Sequence, residues 1–327
     1  MRQRRRRAII WLTVAGLLAG THHLNAAQER SAPATSAGEQ ESTVLAAAID
    51  AVATGRQSAD ASLTWIGHHF IRSQGDSVYI PFTISLGRRQ QGSSPASVYI
   101  RAVGRSAPPV GPAKYPWETL QPVEIPADGL LSRAIALPPG SYDIFVAVRE
   151  KGVTPAKVGV VRHELTVPAF ASADLTTSSI ILARSLEQLP SALAPEKQQD
   201  NPYVFGPLKV TPSSDSAFPK SGDLQVLFWI YGAAHTAGKP DVQVDFSFYQ
   251  RFADGEKKYF NKTNPQELNV KTLPAEFDLT RGHQLLSSLS VPLATFPPGD
   301  YRLEIKVTDK PSGKSLTNNV DFSVSAS

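Results

Sequence analysis

The sequence predicts an all-β protein built from two β-sandwich domains in tandem. Three observations carry this. Apolar residues recur at period two through much of the chain, as half-buried strands require. The 26 prolines and 22 glycines punctuate the chain into short segments, which favours turns and strands over long helices. One pentapeptide is written twice, as Pro138-Pro139-Gly140-Ser141-Tyr142 and as Pro297-Pro298-Gly299-Asp300-Tyr301.

The chain begins with five arginines ahead of an apolar run from Ala8 to Gly20, followed by small residues at Ala26 and Ala27. That is the pattern of a signal peptide, here 1–27. The run is too short for a spanning helix of about 20 residues, so no transmembrane anchor is expected after cleavage. Removing the five arginines leaves 28 basic residues against 29 acidic ones. The pI of about 9.2 therefore belongs to the leader, and a nucleic-acid partner is not expected. With no cysteine, the exported chain must hold by packing alone, without disulfide, thiolate metal site or thiol nucleophile.

Residues 28–60 read as a flexible leader with a short helix available over Thr43–Thr54. The first sandwich is placed at 61–168. In SVYIPFTISL, Val78, Ile80, Phe82, Ile84 and Leu86 point one way. Pro81 cannot donate to a ladder, which suggests an edge strand. VYIRAV, LLSRAIAL and the alternating Tyr142, Ile144, Val146, Val148 supply further strands, and Val161, His163, Leu165, Val167 close the segment. Residues 169–200 read as a polar, proline-bearing connector, within which 178–189 is ambiguous between helix and strand. The second sandwich is placed at 201–327. LQVLFWIYG reads as a central strand, VQVDFSF and YRLEIKV alternate, and DKPSG is a tight turn.

Around the repeated pentapeptide the two halves match: a Leu-Leu-Ser lead, an apolar strand, the proline-glycine corner, then a tyrosine on an alternating strand. Proline presets φ and glycine accepts the positive φ that other residues resist. A tyrosine just after such a corner can bury its ring and return its hydroxyl to the backbone, the tyrosine corner of immunoglobulin-like sandwiches. Pro139, Gly140, Tyr142, Pro298, Gly299 and Tyr301 are therefore structural corner residues. The order NPYVFGPLKVTP, SGDLQVLFWIYG, FPPGDYRLEIKVTDKPSGKSLTNNVDFSV resembles the tandem β-domains of uncharacterised secreted bacterial proteins, some attached to von Willebrand A-type domains. The resemblance implies an extracytoplasmic accessory module and carries over no catalytic residue. The A-type domain itself is absent from this sequence.

Motifs for chemistry are few. Asp60-Ala61-Ser62-Leu63-Thr64 and Asp174-Leu175-Thr176-Thr177-Ser178 mimic the spacing of an A-type metal motif, yet neither follows an apolar strand, and both read as polar linker. Gly313-Lys314-Ser315 lacks the leading glycine of a P-loop, since Thr308 stands there. His68 and His69 would face opposite ways on a strand, and His163, His235 and His283 are scattered, so no metal ligand set is named. No Gly-x-Ser-x-Gly elbow exists, and Asn261-Lys262-Thr263 is a sequon of little weight in a bacterial chain. Trp229 and Trp65 read as core. Tyr115 and Trp117, in a proline-rich loop, either plug the sandwich end or contact a protein or glycan.

The sequence thus points to a periplasmic or secreted, non-enzymatic interaction or scaffold module of the cell envelope, with an envelope or extracellular protein as partner and no cofactor. The alternative is a carbohydrate-binding module using Tyr115 and Trp117 on cell-wall glycan. A hydrolase without an identifiable site is the remote third.

Overall fold

The computed structural model describes residues 36–57, 62–73, 75–87, 93–105, 115–152, 157–170 and 174–326. The signal-peptide reading over 1–27 lies outside the described residues. The protein is all-β: antiparallel strands make up most of it, and two compact units divide the chain.

The first unit takes 36–170 together with 195–202. It holds α1 (Ser36–Ala53), β1 (Thr64–His68), β2 (Ile71–Arg72), β3 (Val78–Ser85), β4 (Ser94–Gly104), β5 (Trp117–Ile125), β6 (Leu130–Leu137), β7 (Gly140–Glu150), β8 (Val158–Val167) and the short helix α2 (Pro195–Gln198). One sheet sets β3 between β1 and β2 on one side and β6 on the other. The other runs β5-β4-β7-β8. Ile80, Phe82 and Ile84 from the first sheet and Val98, Ile100, Ile144 and Val146 from the second are buried in the core. The alternation that predicted these strands is thus the alternation that fills the core.

Two expectations change here. β3 is central, not an edge. Pro81 is tolerated because its carbonyl accepts from His69 N–H (3.0 Å) at the irregular step between β1 and β2. In a strand a residue's N and O face the same neighbour, so the missing donor falls where the ladder is already broken. The leader also does more than expected. Its helix starts at Ser36 and packs: Leu45 and Ile49, four apart on one face, are fully buried against Tyr99, Phe145, Ala147 and Val160 on the outer face of β4, β7 and β8. Burial of two such side chains contributes about 1.5–3 kcal/mol each. Gly55, at φ 93°, ends the helix with Gly55 N–H donating to Val52 O and Arg56 N–H to Ala51 O, the paired bonds of a Schellman cap.

The second unit takes 174–194 and 203–326. Its strands are β9 (Thr176–Thr177), β10 (Ile181–Gln188), β11 (Val204–Phe205), β12 (Leu208–Pro212), β13 (Ala217–Pro219), β14 (Asp223–Tyr231), β15 (His235–Thr236), β16 (Lys239–Pro240), β17 (Val242–Arg251), β18 (Lys257–Lys262), β19 (Gln266–Leu268), β20 (Leu285–Pro292), β21 (Gly299–Asp309) and β22 (Ser315–Ser325). One sheet is ordered β11-β12-β10-β14-β20, with β9 also on β14; the other is β13-β22-β21-β17, with β18 and β19 along β17. β13 is parallel to β22. Between the sheets lie Val226, Phe228, Leu289, Phe246, Ile305 and the fully buried Tyr301.

The ambiguous 178–189 stretch resolves as strand β10. Ile181, Leu182 and Ala183 are buried where they pair with β14, and a tertiary partner decides what a short apolar run leaves open. The expected connector 169–200 therefore donates two strands, β9 and β10, to the second unit and α2 to the first.

Candidate functional site

The two corners are built alike. Tyr142 donates its hydroxyl to Pro138 O at 3.0 Å and Tyr301 to Pro297 O at 2.7 Å. Gly140 and Gly299 sit at φ 152° and 149°, and a side chain at Gly140 would meet the Tyr142 ring at 3.3 Å. Pro139 and Pro298 precede these glycines. Burial raises the pKa of both phenols, so they donate at any physiological pH. Each corner hands the chain from one sheet to the other.

Tyr115 and Trp117 do not form one platform. Tyr115 lies over the Arg101 guanidinium, 4.2 Å from ring centre to carbon. Trp117 opens β5 opposite Ala102, whose side faces the core. Its indole N–H is buried without a hydrogen-bond partner, so it offers no donor to a sugar hydroxyl.

Beneath α1 the chemistry is ionic as well as apolar. Arg101, 5% exposed, donates to Glu118 (3.0 Å), to Asp50 on α1 (2.7 Å) and to the Tyr99 hydroxyl (3.2 Å). Tyr99 in turn donates to Glu118. Burial and that carboxylate push the Tyr99 phenol up to about 12. Arg149 pairs with Glu41 at 2.6 Å. A buried guanidinium bonded through all three of its nitrogens is a positional lock: removing one partner strands the charge.

The structure also gathers histidines that sequence spacing kept apart. The Trp65 ring, half-buried, is stacked between Phe82 (4.6 Å) and His163 (4.4 Å), and its N–H donates to His68 Nδ1 at 3.4 Å. His68 lies 5.4 Å from His163 and edge-on to Phe70. Burial and the neighbouring His163 hold His68 down at about 4; burial and His68 do the same for His69; burial also lowers His163. All three are neutral at pH 7. The register shift between Trp65 and Gly67 and the end of β1 at His68 disrupt the simple alternation that would have separated them. Among the described residues no three His, Asp or Glu side chains gather as a metal site requires.

The two A-type metal mimics are accounted for differently. Thr176 and Thr177 form β9, Ser178 exchanges hydrogen bonds with Trp229, and Asp174 pairs with Lys314. Asp60 and Ala61 lie outside the described residues. Gly313 (φ 71°) closes the β21–β22 hairpin.

The remaining candidate is the outer face of β18-β17-β21-β22. No described element of its own unit covers it. Register sets Tyr259, Tyr249, Arg302 and Asp321 in one row across four strands. The two rings meet edge to face at 5.9 Å, and Lys257 lies 4.7 Å over Tyr249. Arg302 grips Asp321 through two bonds (2.7 and 2.9 Å), and Arg251 reaches the same carboxylate at 2.6 Å. Tyr259 is 53% exposed and Phe252, at the head of the β17–β18 turn, 45%. The alternation of β21 marks Arg302, Glu304 and Lys306 as outward and charged from sequence alone, but sequence reading named no contact residue on this face.

No protein-family model and no curated protein matches the chain. Among solved structures it aligns with red sea bream transglutaminase at 9% identity, covering 90% of this chain and 34% of that one, with a TM-score of 0.21. Two structures of Escherichia coli alpha-2-macroglobulin align as well. The form activated by porcine elastase is 13% identical over 78% of this chain and 22% of that one, TM-score 0.25; the trypsin-activated form is 10% identical over 83% and 17%, TM-score 0.25. The chain spans about a third or less of each, and likeness at this level carries nothing about activity. No helix among the described residues is long and apolar enough to cross a membrane.

Proposed function

We propose that the protein is an exported, non-enzymatic interaction module of the bacterial cell envelope, and that its second unit presents the contact surface. The observation that supports this is the uncovered outer face of β18-β17-β21-β22, with its tyrosine and arginine row. Tyrosine and arginine are the side chains enriched where protein interfaces concentrate their energy. The corresponding face of the first unit is occupied by its own helix, which leaves that unit as the supporting scaffold.

The test is capture from the producer's envelope extract on the immobilised protein, with a parallel wash in soluble cell-wall glycan. Partner proteins are expected to survive the wash and to be lost from a Tyr249→Ser/Arg302→Ser variant. Retention unchanged by that variant would sink the assignment. A carbohydrate reading through Tyr115 and Trp117 predicts instead that glycan strips the column and that Trp117→Ala abolishes glycan binding.

A further inference from the structure

β18 (Lys257–Lys262) is paired along one side only. Its ladder runs to β17, and it ends the row of strands. The backbone groups on its far side therefore have no strand to bond, the arrangement that invites a further strand. The strand is exposed on both faces, with only Phe260 half-buried. Of the five large apolar side chains that are exposed among the described residues, two, Phe252 and Tyr259, belong to this one hairpin. Lys257, Lys258 and Lys262 lie along the strand with no acidic residue among them. Lys257 has Glu304 at 4.0 Å; among the described residues Lys258 and Lys262 have no ion pair.

Lysines on an edge also serve to repel stray strands, and that reading must be weighed first. The first unit shows how an edge is guarded in this protein. β5 (Trp117–Ile125) likewise ends its sheet, and it carries Pro122, which cannot donate, together with the exposed Glu124. β18 has no proline, keeps its N–H groups, of which that of Lys262 donates to Asn261 Oδ1 (2.8 Å), and sets exposed rings beside its positive charge. A guard needs charge alone; rings beside charge on an open ladder are what a docking edge needs, since main-chain bonds supply affinity and alternate side chains supply selectivity.

We propose that the free edge of β18 takes up an extended acidic segment of a partner protein by strand addition, its carboxylates meeting Lys262 on the face that carries Tyr259 and Lys258 on the opposite face, and an apolar residue resting on Tyr259. This rests on the interaction-module reading and names the place and the partner's chemistry. The probe is a fluorescein-labelled ten-residue peptide repeating Glu-Glu-Val-Val, which sets Glu and Val on both faces of the added strand, titrated into the full protein and followed by anisotropy; amide exchange is read in parallel. The expected Kd is on the order of 10–100 µM at low salt, with slowed exchange confined to 257–262. Lys258→Glu/Lys262→Glu, both exposed and so harmless to folding, is expected to weaken binding at least about tenfold.

The proposal is overturned if the peptide does not bind up to about 1 mM, or if a Lys-Val peptide binds equally well. It is overturned too if binding leaves the exchange of 257–262 unchanged, or if vesicles rich in phosphatidylglycerol bind at β18 while the peptide does not. Capture of an envelope protein that depends on Tyr249 and Arg302 but survives Lys258→Glu/Lys262→Glu sinks this proposal and leaves the broader reading standing.

Discussion

The same corner leads into two different sheets. After Tyr142 the outward positions of β7 hold Phe145 and Ala147, and α1 lies on them. After Tyr301 the outward positions of β21 hold Arg302, Glu304 and Lys306, and no described element of that unit lies on them. Inner positions are apolar in both, with Ile144, Val146 and Val148 in one strand and Leu303, Ile305 and Val307 in the other. A sheet's inner face is set by the sandwich it closes, so it differs little between copies. The outer face is free to vary, and it is there that one unit carries its own helix and the other carries charged side chains.

The sharpest way to break the contrast is Leu45→Asp. It places a charge in the fully buried contact of α1 and is expected to destabilise the first unit by about 3–5 kcal/mol, read as faster amide exchange across β4, β7 and β8 with β17 and β21 unchanged. Equal loosening of both units would show that the helix does not belong to one of them.

Acid distinguishes the units next. His68, His69 and His163 are held neutral in the fold, two of them at about 4, whereas unfolded histidines titrate near 6.5. The unfolded chain therefore binds more protons between those values, so stability is whole above about pH 6.5 and falls as pH drops toward 4. The loss is on the order of 2 kcal/mol after allowance for partial exposure. Urea unfolding of wild type against His68→Phe/His163→Phe checks it: the variant's first unit should lose less stability over the window, and parallel curves would refute the stacked histidines as its cause.

Smaller effects follow. Tyr301→Phe removes the bond to Pro297 and should cost about 1–1.5 kcal/mol, with Tyr142→Phe near the same value in the other unit. Denaturant melts compare them, and a large inequality would mean the two corners are not equivalent. Arg302→Ala, on the open face, should change stability by less than about 0.5 kcal/mol while weakening partner capture. A marked loss of stability there would make Arg302 a structural residue and not a contact.

Much of the fold was legible because its signals are local. Alternation at 78–86, 242–248 and 301–307 needed no knowledge of neighbours, and the corner tyrosines announced themselves by repetition. What failed was non-local. The 28–60 leader reads as a tether because its composition is alanine and polar residues; the Leu45–Ile49 spacing marks a helix face but not what covers it. The matching clue, apolar Phe145 and Ala147 on the outward parity of a strand, lies far along the chain. The approach of His163 to His68 required the sandwich to close, and β10 required β14 as its neighbour. The uncovered face was legible in the charges of β21, but only set against β7 do those charges read as a surface left open.

The lock on α1 has a kinetic side. Glu41 and Arg149 are separated by 108 positions, and Phe145 and Val160 lie comparably far downstream of Leu45. At about 5–20 residues per second of synthesis, the helix exists for roughly 5–20 s before the strands that receive it have been made. Closing so long a loop is an intrinsically slow step. Helix α1, made ahead of the strands that receive it, is therefore among the last elements to find its place, and until then its apolar stripe is open to a nascent-chain chaperone.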